Sequence, residues 1–211
     1  SVIAGDVFTG TLLRAPGEAV GTYAINQGTL TLGSNYTLTY VSADLTIVTR
    51  SITLTADGKA RQYGLADPLF TFRITAGSLA YDDQFAGMLS RDAGEAVGSY
   101  PIRQGTLQLN ANYQVNFVAA SFDITHATLV LKANDTYVVE GGTPAFTATL
   151  TGYRNGDTQS TVVQSGPQIV VNEDYSEPGI YDIVPSVTLF APANYVITTE
   201  NGVLYVNPDP H

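Results

Sequence analysis

Apolar and polar side chains alternate with a period of two along most of the chain. Ile52 and Leu54 alternate with Thr53 and Thr55, Phe70, Phe72 and Ile74 with Thr71 and Arg73, and Tyr113, Val115 and Phe117 with Gln114 and Asn116. Successive side chains of an extended strand point to opposite faces, so the pattern predicts half-buried β-strands. Gly, Pro, Asn and Asp gather between these runs, at 56–58, 66–68, 109–112 and 154–157, where permissive or pre-bent backbone makes turns. The only helical signal is a short one around Asp82 to Met88, where an aspartate could cap the first free amides.

The alternation itself repeats. Asp6 to Thr49 aligns without gaps on Asp83 to His126 at an offset of 77, with 22 of 44 positions identical. Both copies carry GEAVG (17–21 and 94–98), then Tyr23 or Tyr100, QGTL (27–30 and 104–107) and Asn-Tyr (35–36 and 112–113). A more distant third copy keeps Gly179, Tyr181, Ile183 and Asn194-Tyr195, with about seven extra residues expected near Gln168 to Pro178. The chain therefore divides into 1–50, the latter part of a first unit; 51–127, a complete unit; 128–208, a divergent unit with an insertion; and a tail, 209–211. About 27 residues that precede Asp83 in the second unit have no counterpart before Asp6. The chain is expected to be an excerpt of a longer array, or a neighbouring segment completes the first unit.

Composition narrows the class. Only 13% of residues are charged and 44% are hydrophobic, which predicts a folded core. A formal charge of −10 repels phosphate backbones and anionic headgroups, so nucleic acid is not an expected partner. No apolar run is long enough for a spanning helix, and membrane insertion is not expected. The absence of Cys excludes disulfides, thiolate zinc sites and thiol catalysis.

The repeat also acts as a control, since residues shared between copies answer to the fold. GEAVG reads as a bulge or tight turn, with Arg14 and Glu18, and Arg91 and Glu95, placed to pair across it. Tyr23, Tyr100 and Tyr181 read as core aromatics whose hydroxyls bond to backbone. The two histidines, His126 at a unit junction and His211 at the last position, make no triad, and the adjacent Asp82 and Asp83 make a turn better than a glycosidase pair. No catalytic residue and no cofactor site is assigned. Two weaker candidates lie in the divergent unit. Asp157, Glu173, Asp174 and Glu177 could offer oxygens to calcium, although their spacing matches no known calcium loop. Tyr153 and Tyr175 could stack on a glycan or protein ligand.

Tyr63-Gly64 with Asp67-Pro68, GEAVG, Tyr100-Pro101-Ile102, Asn112-Tyr113 and a last strand ending Phe122-Asp123-Ile124-Thr125 together resemble the MBG-type repeat of the YGX class. The third unit departs from it, with Glu140-Gly141 and Thr143-Pro144 at the first two motifs. The resemblance implies a large secreted bacterial adhesin, filamentous-haemagglutinin-like, at the cell surface or released and active in adhesion or biofilm. The expected fold is all-β: tandem two-layer modules, β-sandwich or β-grasp-like. The junction Thr125-His126-Ala127-Thr128 has no Gly- or Pro-rich linker, so the modules are expected to stack end to end in an elongated rod. The expected function is a non-enzymatic stalk, its expected partners being further repeats and host or matrix glycans or proteins. The alternative is a ligand-binding module in the third unit.

Overall fold

The computed structural model describes residues 3–191 and 193–210, so His211 lies outside the described residues. The first repeat contributes β1 (Leu13–Arg14), β2 (Gly21–Asn26) and β3 (Ala43–Ile47), an antiparallel sheet in that order. The second contributes β4 (Arg50–Ala56), β5 (Lys59–Gln62), β6 (Phe72–Ala76), β7 (Ser90–Arg91), β8 (Gly98–Arg103), β9 (Tyr113–Val118) and β10 (Ala120–Thr125). The third contributes β11 (Ala127–Ala133), β12 (Thr136–Val139), β13 (Ala148–Thr151), α1 (Gln159–Val162), β14 (Val163–Val171), β15 (Gly179–Leu189), β16 (Tyr195–Glu200) and β17 (Gly202–Asn207). The described chain is nearly all β.

Both complete repeats use the same device. Two consecutive strands, separated by one or two residues, enter different sheets. β4 pairs parallel with β9 in the sheet β6-β4-β9, and β5 pairs parallel with β10 in the sheet β5-β10-β8-β7. In the third repeat β11 pairs parallel with β16, and β12 with β17. Short breaks such as Asp57-Gly58 and Asn134-Asp135 change the strand's direction between sheets. Burial follows the alternation: Ile52, Leu54 and Ala56 are buried on β4, and Leu129, Leu131 and Ala133 on β11.

Contacts divide the chain into two compact units, and the division runs through the middle repeat. One holds residues up to Ala56, Thr71–Ser90 and Gln104–Ala119; the other holds Asp57–Phe70, Arg91–Arg103 and the chain from Ala120 onward. In the second unit the third repeat is a two-layer sandwich, with β11 of one sheet packed against β15 and β17 of the other. Ala133, Ile183, Leu204 and Val206 form its core. A β-grasp would need a helix across the sheet, but α1 is one turn with no buried residue.

Two sequence expectations change. Asp82 to Met88 forms no helix; residues 81–82 turn and Ala86 bridges antiparallel to Gln108, because the backbone there finds a strand partner. Most of the extra residues of the third repeat lie before Val171, not in the 172–178 loop. Tyr23 and Tyr181 fix the equivalence, Arg14 pairing with Ile25 as Val171 pairs with Ile183. From Asp6 to Arg14 is eight steps and from Asp157 to Val171 fourteen, whereas Arg14 to Gly21 is seven and Val171 to Gly179 eight. Six of the seven therefore build α1 and lengthen β14.

Candidate functional site

Each repeat builds the same small polar group at one end. An aspartate opens a loop, an Asn-Tyr pair sits before or at the return strand, and the tyrosine hydroxyl links two parts of that loop. Tyr36 Oη accepts from the Ile3 amide (3.0 Å) and donates to Asp6. Tyr113 Oη accepts from the Ala80 amide (2.7 Å) and donates to Asp83 (2.7 Å). Tyr195 Oη accepts from the Arg154 amide (2.9 Å) and donates to Asp157 (2.8 Å). The residue after each of the last two amides, Tyr81 or Asn155, has a positive φ (51° and 56°), so the two loops share a conformation that L-residues seldom adopt.

This end receives the preceding repeat. The Val20 amide in the first GEAVG donates to Asn112 Oδ1 (2.8 Å), and the Val97 amide in the second donates to Asn194 Oδ1 (3.0 Å). The same asparagines accept backbone bonds from Arg50 and Ala127, the first strand residues of their own repeats. Between the second and third repeats a further clasp forms. Tyr63 extends β5, its amide bonded to Thr125 O (2.8 Å), and its hydroxyl donates to Asp157 Oδ2 (3.0 Å) while accepting from Asn155 Nδ2 (3.2 Å). Its ring meets Tyr195 edge-on at 5.4 Å. Gly64, at φ +75°, lies so close that a Cβ would stand 2.5 Å from Arg154 Cβ. Tyr-Gly is therefore needed as a pair: the tyrosine reaches across and the glycine lets the backbones meet. Burial, together with the Asp157 charge, pushes the Tyr195 hydroxyl up to about 12.

The GEAVG loop is held from within. Tyr23, Tyr100 and Tyr181 donate to Ala19 O, Ala96 O and Glu177 O, four residues back in each case. Gly17 and Gly94 lie against the rings of Tyr23 and Tyr100, where a Cβ would stand 2.3 and 2.1 Å from ring carbon. Arg14 pairs with Glu18 and lies over Tyr23; Arg91 pairs with Glu95 (2.8 Å) and lies over Tyr100.

In the second repeat this loop gains an ion cluster that sequence reading did not anticipate. Arg61, whose side chain is 4% exposed, pairs with Asp67 (2.6 Å) and Glu95, and Arg91 pairs with Asp67 (2.6 Å). Both guanidiniums lie over Phe122, at 5.7 and 5.0 Å. Burial pushes the Asp67 carboxyl up, but hydrogen bonds and charge from Arg91 and Arg61 outweigh it and hold the group below the usual carboxylate range. The Arg91 hydrogen bond likewise lowers Glu95.

The candidates of the divergent repeat are scattered. Asp157 is engaged by two tyrosine hydroxyls at the joint. Asp174 accepts from the Ser176 amide, and among the described residues no three acidic or histidine side chains gather as a cation site. Tyr175 turns inward and meets Phe146 and Tyr181 edge-on beside the core. Tyr153 is half-buried, its hydroxyl enclosed without a hydrogen-bond partner, and burial pushes its pKa up. Neither tyrosine is an exposed platform.

Tandem β modules joined through a Tyr-Gly corner and a GEAVG loop define a repeat-array protein. The chain belongs to the MBG domain family of the YGX type, whose model matches residues 1–46, 52–123 and 129–205. Such repeat domains are typical of large surface proteins. No curated protein matches the chain.

Proposed function

We propose that this chain is a stretch of stalk in a bacterial adhesin, outside the cell, whose repeats hold a binding tip away from the surface. The observation that supports this best is the joint. The same residue types, a GEAVG amide and an Asn-Tyr-Asp set, link first to second repeat and second to third. Direct hydrogen bonds between consecutive folded modules restrict bending, as a spacer requires and a flexible linker cannot. The polar groups shared by the repeats tie one part of the chain to another, and the stalk performs no catalysis. Its partners are further repeats of the same kind.

The pattern changes in the third repeat. Glu140 stands where Tyr63 stands in the second, and Pro178, with no amide proton, stands where Val20 and Val97 donate. A following segment would have to attach by other contacts, so this repeat marks a change in the array.

Small-angle X-ray scattering tests the stalk reading. A compact globule of this length would have a radius of gyration of about 17 Å; the stalk requires a clearly larger value with an elongated pair-distance distribution. A value at the compact limit would refute it.

A further inference from the structure

The outer sheet faces of the repeats are not alike. In the second repeat the sheet β5-β10-β8-β7 turns Ile102, Phe122 and Ile124 inward, where they are buried. Its outward places hold Ala60, Gln62, Ser99, Arg103, Ser121 and Asp123, small or polar, as suits a sheet with one solvated face. In the third repeat the strand register puts Tyr137, Val139, Ile180, Val184, Val203 and Tyr205 at the same six places of the sheet β12-β17-β15-β14. All six are aliphatic or aromatic. The first repeat has Thr22, Asp44 and Thr46 at three of these places, so the fold itself does not call for an apolar outer face.

Tyr137, Tyr205 and Ile180 lie in one row across three strands, with Tyr137 68% and Ile180 70% exposed. The two tyrosine rings stack at 4.6 Å, 7° from parallel. Charge around this row has one sign. Asp182 shares the outward face, Asp135 and Glu140 bracket β12, and Glu173, Asp174 and Glu177 lie in the turn between β14 and β15. These four strands and that turn hold no Lys or Arg. The two basic residues of the repeat are elsewhere: Lys132 faces Glu200 on the other sheet (3.8 Å), and Arg154 lies in the joint loop.

We propose that this face binds a short basic segment of a partner protein, one in which apolar or aromatic side chains alternate with Lys or Arg. The apolar side chains pack on the Tyr137-Tyr205-Ile180 row, and the cations meet Asp182 and the acidic rim. Size favours a segment over a folded subunit. Four strands about 4.8 Å apart, with about three outward places along each, make a face of about 300 Å², against about 800 Å² per partner in a stable interface between folded proteins. A second copy of this chain would set one acidic rim against another, a like-charge contact that opposes association. The face belongs to one repeat and does not depend on how repeats stack, so the proposal goes beyond the stalk reading and stands or falls separately from it.

The test is a fluorescence-anisotropy titration of the whole chain into a labelled peptide of about eight residues that alternates lysine with valine and tyrosine, enough to cross the face. Ile180→Ser and Tyr137→Ser should each weaken binding by about tenfold. Both positions are exposed, and thermal unfolding near the parent's Tm separates lost binding from lost fold. Asp182→Asn should weaken binding by about threefold and reduce its salt dependence. The same peptide with glutamate in place of lysine should not bind, and Asp123→Asn, on the polar face of the second repeat, should leave binding unchanged. Undiminished affinity of a folded Ile180→Ser variant, equal binding of the glutamate peptide, or a dimer of the chain that Ile180→Ser dissolves in place of peptide binding would overturn the proposal.

Discussion

Asp157→Ala is the perturbation that probes the joint most sharply. The carboxylate accepts from Tyr63 at 3.0 Å and from Tyr195 at 2.8 Å, and the two residues are 5% and 3% exposed. Hydrogen bonds to a charged acceptor contribute about 1.5–3 kcal/mol each, so losing both should cost about 3 kcal/mol, the lower end applying because water can enter the rim. Asp83→Ala is the internal comparison. Among the described residues Asp83 accepts from Tyr113 and from Asn110 but from no residue of the first repeat, so its loss loosens a loop without breaking a clasp. The assay is urea unfolding followed by tyrosine fluorescence, the chain having no Trp. A double-mutant cycle with Tyr63→Phe should give a coupling of about 1 kcal/mol or more. Asp157→Ala should also broaden or split the transition as the third repeat uncouples from the second, whereas Asp83→Ala should leave that coupling intact. A cost below about 0.5 kcal/mol for Asp157→Ala, or no coupling to Tyr63, would refute the reasoning, since surface substitutions alone reach that size.

Two other outcomes follow from the loop that enters the joint. Gly94→Ala should destabilise by about 2 kcal/mol or more in the same urea assay, because φ is +149° and the new methyl would stand 2.1 Å from the Tyr100 ring; an effect within about 0.5 kcal/mol would mean that the ring simply moves aside. Asp67 titrates below its ordinary value when folded, so its contribution is complete above the unfolded pKa, near 4, and is lost as pH falls through the folded one. Stability measured from pH 5 down to pH 2 should therefore fall less steeply in Asp67→Asn than in the parent, and parallel curves would remove Asp67 from the account.

The strands were legible because their chemistry is local. The alternation at Ile52 and Leu54 marks one buried face, and both are buried. The Tyr23, Tyr100 and Tyr181 hydroxyls bond to backbone as the repeat suggested. What escaped is non-local. Asp157 looked like one oxygen of a calcium loop, because Tyr63, which holds it, lies 94 residues away. A signal did exist: Asp6 and Asp83 align, as do Tyr36 and Tyr113, and a recurring Asp and Tyr are a candidate pair. Arg61 was invisible for another reason: the third repeat has Val138 at the equivalent place on β12, so the repeat comparison showed no recurring charge there. The insertion was misplaced because lengthening β14 preserves strand character, and only pairing with β15 shows where the added residues went. Parallel pairing of β4 with β9 and β5 with β10 was equally out of reach, since alternation gives a strand's faces but not its neighbours.

The stalk proposal requires that successive repeats stack through the contact that both joints share, a GEAVG amide on the asparagine of the next repeat. It is tested most directly by inserting one, two and three further copies of residues 51–127 after Ala127 and measuring the maximum dimension by small-angle scattering. The account predicts the same increment for every added copy, with Asp157→Ala lowering the stiffness of the last joint alone. A dimension that grows as the cube root of mass, as when added copies fold into a common globule, would contradict it.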